Sequence, residues 1–191
     1  MNDVLSAGFA DPVGDAQRCF RAILDAMSRP GQVHDVPGPD VPPGLGAAAG
    51  AVILSLVDHE TPLWIAPEQK SAQRWITFHT GAPEAPSTDA AALVLTHALP
   101  PFEALRAGGH ETPEASATVI LLVASLSRGR AYTLAGPGLR TTATLTVDGL
   151  PGDFVAWWDV NHRQFPRGID LILCAGNQLA ALPRSVTIRE A

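Results

Sequence analysis

The sequence predicts a three-layer α/β domain built on a mixed sheet, and three observations carry that prediction. Residues 117–126 and 169–174 are almost unbroken apolar runs rich in Val, Leu and Ile, the composition of strands covered on both faces. Helical and strand patterns alternate through the first half of the chain, as they do in sheets flanked by helices. In the second half, residues 131–134 and 142–147 follow one another as short strands, the latter alternating Thr with Leu and Val, which suits local pairing. No repeat, low-complexity tract or linker divides the 191 residues, so residues 1–191 read as one domain long enough to bury a core.

The elements follow in order. Asp11-Pro12 opens a helix, because Asp can accept from orphan amides and Pro suits the first helical position. Val13, Ala16, Phe20, Ile23, Leu24 and Met27 recur at three- and four-residue intervals as one apolar stripe, and Pro30-Gly31 ends the helix. A short strand over 32–36 leads into a Pro/Gly-rich loop over 37–46. Residues 45–57 form a second helix, apolar on most sides and therefore buried. Residues 63–65 are a strand, 67–78 a helix, and 91–96 a buried strand. A short helix begins at Pro100-Pro101 and stops at Gly108-Gly109. Asp148-Gly149 turns the chain into a helix over 152–163 carrying Phe154, Val155 and Trp158. A last short strand covers 186–188.

The composition excludes several functions. A net charge of −6 argues against nucleic acid, which needs clustered Lys and Arg. The two cysteines, Cys19 and Cys174, lie in apolar patterns and read as buried reduced thiols of a cytoplasmic protein. Apolar runs of about ten residues are too short to span a bilayer, and the start has no secretory signal pattern. Only 17% of residues are charged, which leaves apolar surface for a second subunit. Trp157 and Trp158, adjacent on a helix and so about 100° apart, imply one inward ring and one at an interface. The expected state of the isolated chain is a homodimer.

The search for chemistry removes more than it finds. His34, His59, His79, His97, His110 and His162 form no metal-ligand spacing, so no metal is expected. There is no phosphate loop and no nucleophile elbow. Gly136-Pro137-Gly138 reads as a rigid corner, since Pro offers no amide and the glycines tolerate positive φ. The polar residues concentrated in irregular segments are His79 at a helix end, Glu114 at a strand entrance, and Asn161 and Arg163 ahead of the strand headed by Asp170. These four are the candidate binding set, with no catalytic residue assigned. Each has a structural alternative: His79 as a helix cap, Asn161 as a partner of loop backbone. Arg140 and Arg184, after proline-containing turns, could each hold an oxyanion bidentately.

Three irregular phrases carry a resemblance. They are Phe20-Arg21-Ala22-Ile23-Leu24-Asp25-Ala26-Met27-Ser28-Arg29-Pro30-Gly31, Leu134-Ala135-Gly136-Pro137-Gly138-Leu139 and Asn161-His162-Arg163-Gln164-Phe165-Pro166-Arg167-Gly168-Ile169-Asp170. Trp75-Ile76-Thr77-Phe78-His79-Thr80-Gly81, Thr112-Pro113-Glu114-Ala115-Ser116-Ala117-Thr118 and Leu182-Pro183-Arg184 add to it. Together, from about Phe9 to about Ile188, they resemble the H subunit of the bacterial carbon–phosphorus lyase machinery, the PhnH family. That resemblance implies a sheet related to that of pyridoxal-phosphate-dependent transferases. It also implies partnership with the G, I and J subunits in making ribose 1-phosphonate 5-triphosphate from ATP and a phosphonate. The role implied is supportive, with catalysis on other subunits. Pyridoxal phosphate itself needs a Schiff-base lysine, and Lys70, the one lysine, sits in a surface-type helix; no cofactor is expected. The alternative is a stand-alone small-molecule-binding protein or enzyme with a pocket at His79, Glu114, Asn161 and Arg163.

Overall fold

The computed structural model describes residues 6–191. Its elements run α1 (Pro12–Ser28), β1 (His34–Asp35), α2 (Ala47–Leu56), β2 (Leu63–Ile65), α3 (Lys70–Thr80), β3 (Leu93–Thr96), β4 (Thr118–Leu122), β5 (Ser125–Ala135), β6 (Thr142–Asp148), α4 (Phe154–His162), β7 (Asp170–Ala175), β8 (Gln178–Leu182) and β9 (Thr187–Glu190). Six strands form a mixed sheet in the order β1-β8-β7-β4-β3-β2, and three form an antiparallel sheet in the order β6-β5-β9. Within the larger sheet β2, β3, β4 and β7 are parallel, while β8 and β1 are antiparallel additions at one side.

The apolar runs do what their composition predicts. In β4, Ile120 and Leu122 join one buried cluster while Val119 and Leu121 join the other. In β7, Ile172 and Cys174 face the first and Leu171 and Leu173 the second. Period-two alternation thus delivers apolar side chains to both faces, and β4 and β7 are the two central strands. The first cluster is completed by α1, α2 and α3, and the second by the smaller sheet and α4.

The layer on the second face is an antiparallel sheet with one helix, and here the structure corrects one strand of the sequence reading. The run 117–126 is two strands, not one. β4 ends at Leu122, and the chain leaves the large sheet at Val123-Ala124 to begin β5 in the small one. Leu126 stays buried after the break, so hydrophobicity continues while the sheet changes. β8 is missing from the sequence reading because its Leu-Ala-Ala-Leu core has little strand propensity; it forms by a turn back onto β7 at Gly176-Asn177. The expected helix after Pro101 is only the 3-10 turn Phe102–Ala104.

α1 is a second correction. Asp11 caps it, accepting from Gly14 N at 3.1 Å, while Asp15 accepts from Asp11 N at 2.9 Å. Its buried face is Asp15, Cys19, Ile23 and Ala26; of the predicted stripe Ile23 is buried and Met27 packs partly buried against the same cluster. Small side chains there allow close approach to α2 and β8. Val13, Phe20 and Leu24 of that stripe are left outside, 71%, 45% and 53% exposed. α2 is enclosed as predicted, buried continuously from Ala48 to Ile53.

Candidate functional site

Asn161 bonds the residue just before β7, Glu114 sits on the 3-10 turn that leads into β4, and Arg163 follows α4 in the loop that leads to β7. α4 ends at His162, and Asn161, in its last turn, is fully buried. Its Nδ2 donates to Ile169 O at 2.8 Å and its Oδ1 accepts from Ile169 N at 2.7 Å. One side chain therefore satisfies both backbone groups of a residue eight positions later. The intervening loop, with a cis Phe165-Pro166 bond, is held against the helix. Gly168 has φ +129°, and a Cβ there would stand 2.7 Å from Asn161 Oδ1; only Gly fits the clasp.

The clasp delivers Asp170 to the head of β7. Asp170 Oδ1 accepts from Arg184 N at 2.8 Å and Arg184 Nε at 3.1 Å, and its Oδ2 pairs with Arg184 Nη2. Arg184 Nη1 donates to Pro113 O at 2.8 Å. The guanidinium thus ties β7, the end of β8 and the 3-10 turn Pro113–Ala115 together, with the pair only 14% and 21% exposed. His162 Nδ1 lies 3.0 Å from Arg184 O. A carbonyl only accepts, so Nδ1 carries the proton. Glu114 projects from the same 3-10 turn and is exposed; Arg163 follows α4 and is also exposed.

His79 lies elsewhere, on the helical face. Its Nε2 is 3.0 Å from Ser6 O, and Trp75 Nε1 donates to the same oxygen at 3.1 Å. Two rings thereby fasten the segment before α1 onto α3. The helix end is closed by Gly81 N to Thr77 O at 2.9 Å with Gly81 at φ +69°, so His79 is not the cap. It lines a groove of about 290 Å³ with Gly8, Phe9, Pro12, Ala16 and Leu54. Glu114, Asn161 and Arg163 are not on its walls, and the structure does not bring the four candidates into one pocket.

Other polar groups carry less sequence signal. Gln69, 3% exposed, holds Nε2 2.6 Å from His97 Nε2 beside a cavity of about 110 Å³ at the carboxyl ends of β3, β4 and β7. Lys70 pairs with Glu84 on the outside of α3, and Gln73 bonds the same carboxylate; both hold its pKa below the usual value. Cys19 and Cys174 are free and buried, and burial pushes both thiols up. Gly136 and Gly138 have φ +142° and +85°, the conformations expected of the Gly-Pro-Gly corner. Among the described residues no cluster of three or more His, Cys, Asp or Glu could hold a metal, and no helix is long and apolar enough to cross a membrane.

Comparison with known proteins covers nearly the whole chain. The family model described as bacterial phosphonate metabolism protein (PhnH) matches residues 7–189, spanning every element from α1 to β8 and most of β9. The chain belongs to the PhnH family. It is 37% identical over 193 residues to the alpha-D-ribose 1-methylphosphonate 5-triphosphate synthase subunit PhnH of Rhizobium meliloti (strain 1021), covering 98% of this chain and 96% of that protein. It is 35% identical over 177 residues to "Putative C-P lyase subunit protein HtxG" of Stutzerimonas stutzeri, covering 90% of this chain and 85% of the relative. In this chain the phrase from Asn161 to Asp170 is a backbone clasp feeding a part-buried ion pair, and Leu182-Pro183-Arg184 supplies the other half of that pair.

Proposed function

We propose that this chain is an accessory subunit of a carbon–phosphorus lyase complex acting in phosphonate catabolism. In this reading it supports synthesis of a ribose 1-phosphonate 5-triphosphate from ATP and a phosphonate and does not itself catalyse it. The observation that carries the proposal is the end-to-end likeness to a relative whose name makes it a subunit of that synthase. The geometry agrees with a supportive role, since Asn161, Asp170 and Arg184 are committed to holding backbone and strand ends together. Its partners are proposed to be the G, I and J subunits, and its location the cytoplasm. The whole chain is read as one domain, because both buried clusters share the six-stranded sheet. That sheet is read as related to the one in pyridoxal-phosphate-dependent transferases without the cofactor site, Lys70 being engaged with Glu84 on an outer helix.

A homodimer is proposed for the isolated chain, supported by the exposed Val13, Phe20, Leu24 and Phe78. Trp157 does not support it: its Nε1 donates to Pro100 O at 2.9 Å and its ring packs edge-on against Phe102 of the same chain. The second reading, a stand-alone binding protein, rests on the groove at His79. Affinity capture of the tagged protein from phosphate-starved cells separates the two. Co-purification of the G, I and J subunits, with loss of growth on methylphosphonate in a deletion strain, is the expected result. A protein recovered alone, with growth unaffected by the deletion, overturns the accessory-subunit proposal.

A further inference from the structure

Although the chain carries a net charge of −6, arginines collect at the amino-terminal ends of β4 and β7. Ala117 N donates to Arg106 O at 2.7 Å and Gly168 N to Ala107 O at 2.9 Å. Those two backbone bonds root Arg106 and Arg167 beside each other and beside the start of β4. Arg184 joins them through Pro113 O, the oxygen that also accepts from Ser116 N at 3.3 Å. Arg184 is matched by Asp170. Among the described residues, Arg106 and Arg167 have no such carboxylate.

The unmet groups are specific. Arg106 Nε and Arg167 Nε are sealed from solvent with no hydrogen-bond partner, and so is the Ser116 hydroxyl. Arg106 makes no side-chain hydrogen bond or ion pair among the described residues, and Arg167 bonds only Gln164 Oε1, through Nη2. Ser116 is 8% exposed. Sealed donors without acceptors are costly, more so when charged, and here three occur on segments joined by backbone hydrogen bonds at the amino-terminal ends of β4 and β7. Glu103, Glu111 and Glu114, the acidic side chains nearest in sequence to Arg106 and Ser116, are exposed and screened by solvent, and Asp170, three residues from Arg167, is taken by Arg184.

We propose that Arg106 and Arg167, with the Ser116 hydroxyl, form a binding site for a phosphate or phosphonate oxyanion. Each guanidinium presents paired N–H groups that match two oxygens of such an ion. A hydroxyl as third donor suits a third oxygen out of that plane, which a tetrahedral oxyanion has and a planar carboxylate lacks. Asn161 and Asp170 are not ligands in this site; they hold the 162–168 loop and the β7 head on which Arg167 rides. The assignment is independent of the accessory-subunit reading, because a titration of the isolated chain tests it and a capture experiment does not.

The test is calorimetric titration of the full-length protein with inorganic phosphate, methylphosphonate, glycerol 3-phosphate and acetate. The variants are Arg106→Gln, Arg167→Gln and Ser116→Ala, with Arg128→Gln, exposed in β5, as a control. Saturable binding of phosphate or methylphosphonate is expected, with Kd at least tenfold weaker in each arginine variant and unchanged in the control. Binding confined to glycerol 3-phosphate supports the site equally and assigns it to the phosphate arm of a larger molecule. Circular dichroism confirms that each variant is folded; should one unfold, Arg→Lys at the same position, which keeps the charge and loses the fork, gives the same tenfold reading. Absence of saturable binding to all three phosphorus oxyanions, equal binding of acetate, or undiminished affinity in both arginine variants overturns the proposal.

Discussion

Asn161 and Ile169 form a closed pair in which one buried carboxamide satisfies both the N–H and the C=O of one residue. Truncating Asn161 to Ala leaves two sealed backbone groups without partners, each worth about 1–3 kcal/mol. The expected loss is about 2–4 kcal/mol of stability by chemical denaturation. Asn161→Asp keeps an acceptor for Ile169 N but sets a carboxylate oxygen against Ile169 O, so it is expected to lie near Ala and not near wild type. Wild-type stability in Asn161→Ala would show that the clasp contributes nothing.

Asp170 and Arg184 behave as a unit. Removing one partner strands the other in a site less than a quarter exposed. Asp170→Asn and Arg184→Met are each expected to lose about 2–4 kcal/mol, while the double variant loses less than the sum. The coupling energy from that double-mutant cycle is the measurement. Strict additivity would remove the claim that the pair, and not each residue singly, locks the end of β8 to β7.

What could be read from residues alone divides along physical lines. The central strands were legible because burial on both faces leaves an unbroken apolar run, and α2 because enclosure leaves no polar face. The break at Val123-Ala124 was not, because the chain changes sheets without ceasing to be buried. The exposed stripe of α1 misled for the opposite reason: Val13, Phe20 and Leu24 keep helical spacing but face outward, and Cys19 and Ala26 take the core side. At the candidate site, Asn161 and Asp170 were marked by an irregular phrase. Their partners Ile169 and Arg184 could be paired with them only once β7 and β8 were aligned, since hydrogen-bond partners eight and fourteen residues apart leave no local pattern. Arg106 lies in no motif, and Arg167, though inside the phrase from Asn161 to Asp170, gave no local sign that it would lie beside Arg106.

Trp157 is expected to be a stability residue and not an interface anchor. Trp157→Ala removes the ring packed on Phe102 and the bond to Pro100 O, at a cost of about 2–3 kcal/mol for a partly buried aromatic. Light scattering should show the same molar mass for the variant and the wild type. A fall to half the wild-type mass would place the ring at a subunit contact after all.

Cys19 and Cys174 should be silent toward thiol reagents in the folded protein. Both lie in the core on the helical face of the large sheet, and desolvation by burial raises the pKa of each, more strongly for Cys174, where a neighbouring Cys19 thiolate would add repulsion. The thiolate is the reactive form, so at pH 8 neither the charge state nor access favours attack. Native protein is expected to release less than a tenth of the colour of two thiols from an aromatic disulfide reagent in an hour. In denaturant both thiols react within mixing time. Rapid stoichiometric reaction of the native protein would mean that α1 opens readily from α2 and β8, and that the core drawn here is not closed.

The acid limb of stability should depend on Asp15. The Asp11 N–H, donating to its carboxylate across the first turn of α1, holds its pKa below the ordinary value of 3.8, with Arg18 assisting and burial opposing. A carboxyl whose folded pKa is depressed contributes stability above its unfolded pKa, and loses it as pH falls through the folded value. The contribution is therefore whole at pH 5 and above and disappears progressively below about pH 4. Asp15→Asn, which cannot titrate, is expected to be less stable than wild type at pH 6 and to approach it as the pH is lowered toward 3. Thermal melts of both proteins across that range test the sign: a gap that stays constant with pH would show that Asp15 acts through shape alone, and a gap that widens in acid would reverse the assigned direction.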